Sequence, residues 1–185
     1  GICASDSQPR IRVQQRRKRS NTMEWLRQIG KLLLLLALQV LLFNRLQIAG
    51  WCFPMVYILF LINLPAKTPR WAEMLIGFAV GLLMDIWFTS LGVHIAACVA
   101  ISFLRPILLH NLVQEIERVS GDVCSLSIGR VEYIKSAVIL TLIHHFIVFT
   151  LEAWSLQNWW IVLLQTIISS AMTLVVILGY DMLKK

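Results

Sequence analysis

Three groups of residues in this 185-residue sequence are of kinds that do chemistry. Asp85 stands within an apolar stretch, where an ionisable side chain is a functional candidate by default. It is a lone carboxylate, whereas aspartyl acid–base work needs two carboxylates sharing a proton. The plainer expectation is that Asp85, near the end of its segment, reaches water or Arg45. His144 and His145 are neighbours, and adjacent helical residues point about 100° apart, so the two do not readily serve one metal. His145 shares a helix face with Glu152. For these two histidines a polar contact between helices is expected ahead of a proton relay or a metal site. Gly77, Gly81 and Asp85 form the third group, a single i, i+4 stripe. Its glycines let another helix approach closely, in the same chain or in a partner.

No Ser-His-Asp set, HExxH, phosphate-cradling glycine loop or haem-attachment pair occurs. The expectation is therefore a protein that is not an enzyme and carries no cofactor or metal. An intramembrane hydrolase built on His144, His145 and Glu152 is the weakest alternative. Cys3, Cys52, Cys98 and Cys124 fall in four separate regions, so neither a disulfide framework nor a CxxC metal pair follows.

The elements that must position these residues are set by composition. With 58% hydrophobic and 15% charged residues, the chain departs from soluble domains, which average ~45–50% apolar and ~25% charged. A helix crosses the hydrocarbon core with ~20 mostly apolar residues. The stretches between charges predict an all-α integral membrane protein with six transmembrane helices at 26–43, 48–64, 71–88, 93–110, 136–152 and 159–181. Pro54 is expected to kink or shorten the second. The first, Leu26–Phe43, is too long for a signal-peptide core and lacks a small-residue cleavage site, so it reads as a retained anchor.

The net charge of +7 does not predict nucleic-acid binding, because six of the seventeen basic residues lie in the first 22 positions. Residues 1–22 read as a disordered basic tail, either an extension upstream of Met23 or a native arm touching anionic lipid. Residues 23–185 form the six-helix domain. Placing connections on alternate sides puts sixteen Lys and Arg residues on one side against Arg45 alone on the other. By the positive-inside rule both termini are cytoplasmic. The seven tryptophans, Trp25, Trp51, Trp71, Trp87, Trp154, Trp159 and Trp160, all fall at or near expected span ends, where indole rings prefer to lie. The one long connection, Asn111–Lys135, continues a helical spacing of Leu109, Leu112, Val113, Ile116 and Val119. That pattern is either an amphipathic surface helix or an extension of the fourth span.

The segment Gly77–His94, with its spaced glycines, Asp85 and the Leu91-Gly92 turn, resembles the rod shape-determining protein MreD family. The stretch from Pro54 to Pro65, the short Lys67–Arg70 connection and the Leu-rich opening helix with Gln39 resemble it too, so the likeness covers most of residues 23–185. Residues 1–22 and the Arg105-Pro106 pair depart from the family pattern. The resemblance implies a non-enzymatic component of the bacterial inner membrane that binds MreC. With MreC it would support the glycosyltransferase RodA and its penicillin-binding transpeptidase in peptidoglycan synthesis. Gly77, Gly81, Asp85, Leu91 and Gly92 are then the candidate packing or partner-binding residues. The family fold is also similar to the substrate-binding subunits of energy-coupling-factor vitamin transporters, which supplies the alternative function.

Overall fold

The computed structural model of the chain describes residues 26–43, 53–113, 119, 122–153 and 159–183. Among them all regular structure is helical, with one isolated antiparallel bridge between Pro65 and Asp122. Residues 26–38 form α1, which widens into a π-helical turn at Gln39–Phe43. There follow α2 (Ile58–Ile62), α3 (Arg70–Phe88), α4 (Val93–Leu112), α5 (Ser125–Ile128), α6 (Arg130–Glu152) and α7 (Trp159–Leu183).

Four of these, α3, α4, α6 and α7, are long and apolar enough to cross a membrane. Their limits match the apolar runs, except that α6 begins at Arg130, well before the expected residue 136. Gly129 starts it there, with the positive φ of 93° that glycine adopts without steric cost. The long helices pack in series, α3 on α4, α4 on α6 and α6 on α7, and α2 lies against α3, α4 and α6.

Between α3 and α4 the chain reverses in a tight turn. Thr89 closes α3 in the left-handed region at φ 54°, and Gly92 enters α4 at φ 87°. Leu91 projects from the tip with 90% of its surface exposed. Trp71, Trp87, Trp159 and Trp160 are exposed at helix ends, as interfacial anchors should be. Trp25, Trp51 and Trp154 lie outside the described residues, as does the 1–22 tail.

The expected second span, 48–64, is not one helix. Among its described residues only Ile58–Ile62 is α-helical; residues 53–55 carry no regular structure, and Val56 and Tyr57 form a turn. Pro54 keeps Phe53 out of helix, because proline lacks an N–H and disfavours helix in the residue before it. Every residue from Pro54 to Ile62 is buried, so the segment is enclosed by the other helices.

Of the two readings of the 109–119 spacing, an extension of the fourth span does not hold beyond Leu112, and a surface helix would fall on residues outside those described. Helix α4 stops at Leu112, Val113 is extended, and Leu109 is buried in the core. Residues 114–118 lie outside the described residues. The chain returns at Asp122, which receives a hydrogen bond from Gln28 Nε2 at 2.5 Å and an ion pair from Lys31. Asp181 near the end of α7 accepts from the Ser125 N–H at 3.1 Å. These contacts tie α1, the 65–69 connection, α5 and α7 together at one end of the bundle.

Candidate functional site

Asp85 does not reach open water, and its described partners are all within the α3–α4 hairpin. With only 5% of its surface exposed, its Oδ1 accepts from Ser90 Oγ at 2.5 Å and from the His94 N–H at 3.0 Å, while Oδ2 accepts from the Ile95 N–H at 2.9 Å. His94 Nδ1 lies 3.0 Å from the same Oδ1. A carboxylate that collects the first free N–H groups of a helix does the work of an N-cap. Here it comes from the preceding helix, because the turn after Thr89 brings the start of α4 under the Asp85 side chain. Stacking of Phe88 on His94, with ring centroids 5.3 Å apart, completes the corner.

The glycine stripe lies on the same face, against α4. A methyl group at Gly81 would stand 2.5 Å from Ile95 Cα and 2.7 Å from the His94 carbonyl oxygen. At Gly77 it would stand 2.8 Å from the Cys98 carbonyl oxygen. At Gly81 the two backbones therefore touch directly, and at Gly77 the small Ser102 side chain of α4 shares the contact, as small-residue contacts between membrane helices do. Of the five candidate residues, Gly77, Gly81 and Asp85 join in this contact. Gly92 provides the turn, and Leu91 faces outward.

Buried non-helical backbone must find its hydrogen bonds within the protein. Residues 53–57 do so through side chains. The Phe53 N–H donates to Ser169 Oγ at 3.0 Å and the Met55 N–H to Thr173 Oγ1 at 3.1 Å. Gln39 bridges the other edge, Nε2 donating to the Pro54 carbonyl at 3.0 Å and Oε1 accepting from the Val56 N–H at 2.7 Å. Ser169 and Thr173, about one helical turn apart on α7, receive N–H groups two residues apart in this segment. The π-helical turn at Gln39–Phe43 begins at Gln39, consistent with the association of such turns with special side-chain placements.

Below the break, Arg105 closes the C-terminal end of α2. Although the charge count assigns it to the cytoplasmic side, it lies inside the expected 93–110 span and sits within α4 with 2% of its side chain exposed. Its Nε donates to the Ile62 carbonyl at 3.0 Å and its Nη2 to the Leu64 carbonyl. Its Nη1 donates to Glu73 Oε1 at 2.5 Å. The five fixed donors of a guanidinium suit one side chain to three acceptors. Glu73, buried in the first turn of α3, is a second intramembrane carboxylate beside Asp85.

The two histidines go separate ways. His144 Nε2 lies 3.0 Å from the Tyr57 hydroxyl and 3.8 Å from Cys98 Sγ. His145 Nδ1 lies 2.9 Å from the Thr141 carbonyl oxygen and its Nε2 lies 3.3 Å from Thr173 Oγ1. Glu152 is exposed and joins neither. Comparison of the chain with family models, with curated proteins and with solved structures finds no match.

Sequence reasoning missed Gln39, Ser169, Thr173, Glu73 and Arg105 as parts of this assembly. The first three carry a readable signal, being hydrogen-bonding side chains on otherwise apolar helices. For Glu73 and Arg105 the signal is the antiparallel hairpin itself, which sets residues at similar distances from the Thr89–Gly92 turn beside each other.

Proposed function

We propose that the chain is a non-catalytic scaffold of the bacterial inner membrane, of the MreD kind. In that role it binds MreC and, with it, supports RodA and its penicillin-binding transpeptidase during peptidoglycan synthesis. One observation carries the reading. The buried polar side chains, Asp85, Arg105, Gln39, Ser169 and Thr173, serve the chain's own backbone, so the site acts to hold a shape. Large apolar side chains such as Leu75, Ile86, Trp87, Ile167 and Val175 face outward, as contact with lipid or with another membrane protein requires. The resemblance of the Gly77–His94 segment to the MreD family supports the same assignment.

Under this proposal the chain crosses the membrane six times. The segment containing the break passes through as the second crossing, enclosed by the others. Both termini are cytoplasmic, in keeping with the gathering of Arg27, Lys31, Lys67, Arg70 and Arg130 at the end of the bundle where α3 and α6 begin. The transporter-subunit alternative calls for a small-molecule pocket of ~300–1,000 Å³; among the described residues, the cavity beside Gln28, Lys31, Leu59 and Tyr180 has a volume of about 50 Å³.

Depletion of the protein in a rod-shaped host should round the cells, and MreC should co-purify with it from native membranes. Unchanged shape after complete loss would overturn the assignment. The orientation has its own test. A cysteine introduced at Ser120 should resist a membrane-impermeant thiol reagent in intact cells, and one at Asn158 should react. The opposite labelling pattern would reverse the topology.

A further inference from the structure

At the end of the bundle held by Asp122, a groove runs between α1, α2 and α7. Helix α1 leads away from this end, whereas α2 and α7 run back to it, so the polarity of the lining can be followed with depth. Gln28 and Lys31 of α1, Asn63 just past α2 and Tyr180 of α7 stand at the mouth. About one helical turn deeper come Leu34 and Leu35 of α1, with Leu59 and Phe60 of α2. Leu59 and Phe60 are buried and make the floor, while Leu34 is 69% exposed, so the groove opens sideways along α1. The mouth is also positively charged. Asp122 holds Gln28 Nε2 and Lys31 and stands 3.8 Å from Arg27 Nη2, so two cations share its one carboxylate. The Arg27 side chain is 64% exposed, and a guanidinium has five donors, which leaves several for a second anion.

We propose that this groove binds one phospholipid with an anionic headgroup, its phosphate against Arg27 and Lys31 and one acyl chain along Leu34, Leu35, Leu59 and Phe60. A polar mouth above an apolar floor, open at the side, fits an amphiphile that enters from the bilayer. Charge selects among lipids. A zwitterionic headgroup brings its own cation toward Arg27 and Lys31, whereas a net negative one does not. Basic pockets between membrane helices on the cytoplasmic side are known settings for acidic lipid headgroups, and the lipids of that leaflet include anionic ones. A volume of about 50 Å³ does not count against this occupant, because a chain lying in an open groove keeps its outer side in hydrocarbon and needs no enclosure. Seated there, the lipid would add to the joint that Asp122 makes between α1 and the connection after α2. The site rests on the reading of the chain as a membrane protein and not on its binding of MreC.

The test uses the full chain in a neutral detergent, stripped of lipid and titrated with phosphatidylglycerol or with phosphatidylcholine of the same acyl chains, with native mass spectrometry as the readout. One phosphatidylglycerol should be retained at concentrations where phosphatidylcholine is not. Arg27→Gln should weaken that binding about fivefold, the weight of one basic residue beside acidic lipid. Its side chain is mostly exposed, so the replacement leaves the packing intact. Arg130→Gln is the control. It removes an exposed basic residue at the same end of the bundle, at the start of α6, and should leave the affinity unchanged. Phosphatidylglycerol carrying a photoreactive diazirine in its acyl chain should label residues 31–35 or 59–63 ahead of the outward side chains of α3, such as Leu75 and Ile86. Equal retention of the two lipids, equal losses in the two variants, or labelling that favours α3 would overturn the site.

Discussion

Replacing Gly81 with leucine should abolish recovery of folded, monodisperse protein in detergent. Even the first carbon of the new side chain would stand 2.5 Å from Ile95 Cα and 2.7 Å from the His94 carbonyl oxygen. Both are backbone atoms of α4, which no rotamer change can move aside. Relief requires separating α3 from α4, and that would also pull Asp85 away from the N–H groups of His94 and Ile95. Overpacking ordinarily costs ~1–3 kcal/mol, so a backbone clash that undoes a helix cap belongs at or above the top of that range. Gly179→Leu is the control, since nothing lies within 4 Å of a methyl group at that position. Size-exclusion profiles of the two variants decide the outcome. A normal Gly81→Leu profile would show that the α3–α4 contact is not close.

The second large effect is at Arg105. Arg105→Met keeps most of the side-chain length but strands Glu73 as an unpaired buried carboxylate and leaves the Ile62 and Leu64 carbonyls without their donor. Removing one partner of a buried ion pair costs ~3–5 kcal/mol. At ~2–4 °C per kcal/mol for a chain of this size, the thermal midpoint should fall by roughly 10 °C. Adding Glu73→Gln to Arg105→Met should recover only part of the loss, because the double variant removes the stranded charge but not the orphaned carbonyls. A midpoint unchanged within error in Arg105→Met would show that the pair does not hold α2. Full recovery in the double variant would show that the carbonyl contacts carry nothing.

How far the fold could be read from residues depended on whether hydropathy was the deciding quantity. Helices α3, α4 and α7 follow from long apolar runs bounded by charges, and the α3–α4 turn follows from Gly92. The glycine stripe was legible as a close-contact face, but the identity of the opposing helix was not, since spacing gives a face and not a neighbour. The 48–64 stretch misled for the same reason: a buried irregular segment is as apolar as a span, and Pro54 alone did not show that helix is absent across 53–57. Arg105 was counted with the cytoplasmic charges although it lies inside the expected 93–110 span, because a charge near a span end reads as reaching water unless its buried partner is known. Asp85 was recognised as notable for its setting, yet its role depends on a turn geometry that hydropathy does not encode.

The bonding of residues 53–57 bears on how the chain is made. Phe53 and Met55 take their acceptors from Ser169 and Thr173, which are synthesised more than a hundred residues later. At elongation rates of about 5–20 residues per second, several seconds pass between the emergence of the segment and that of its partners. During that interval these N–H groups must be satisfied by water, by the insertion machinery or by transient contacts with α1, where Gln39 is already present. The native arrangement around the break therefore closes only after the Ser169–Thr173 turn of α7 has been made.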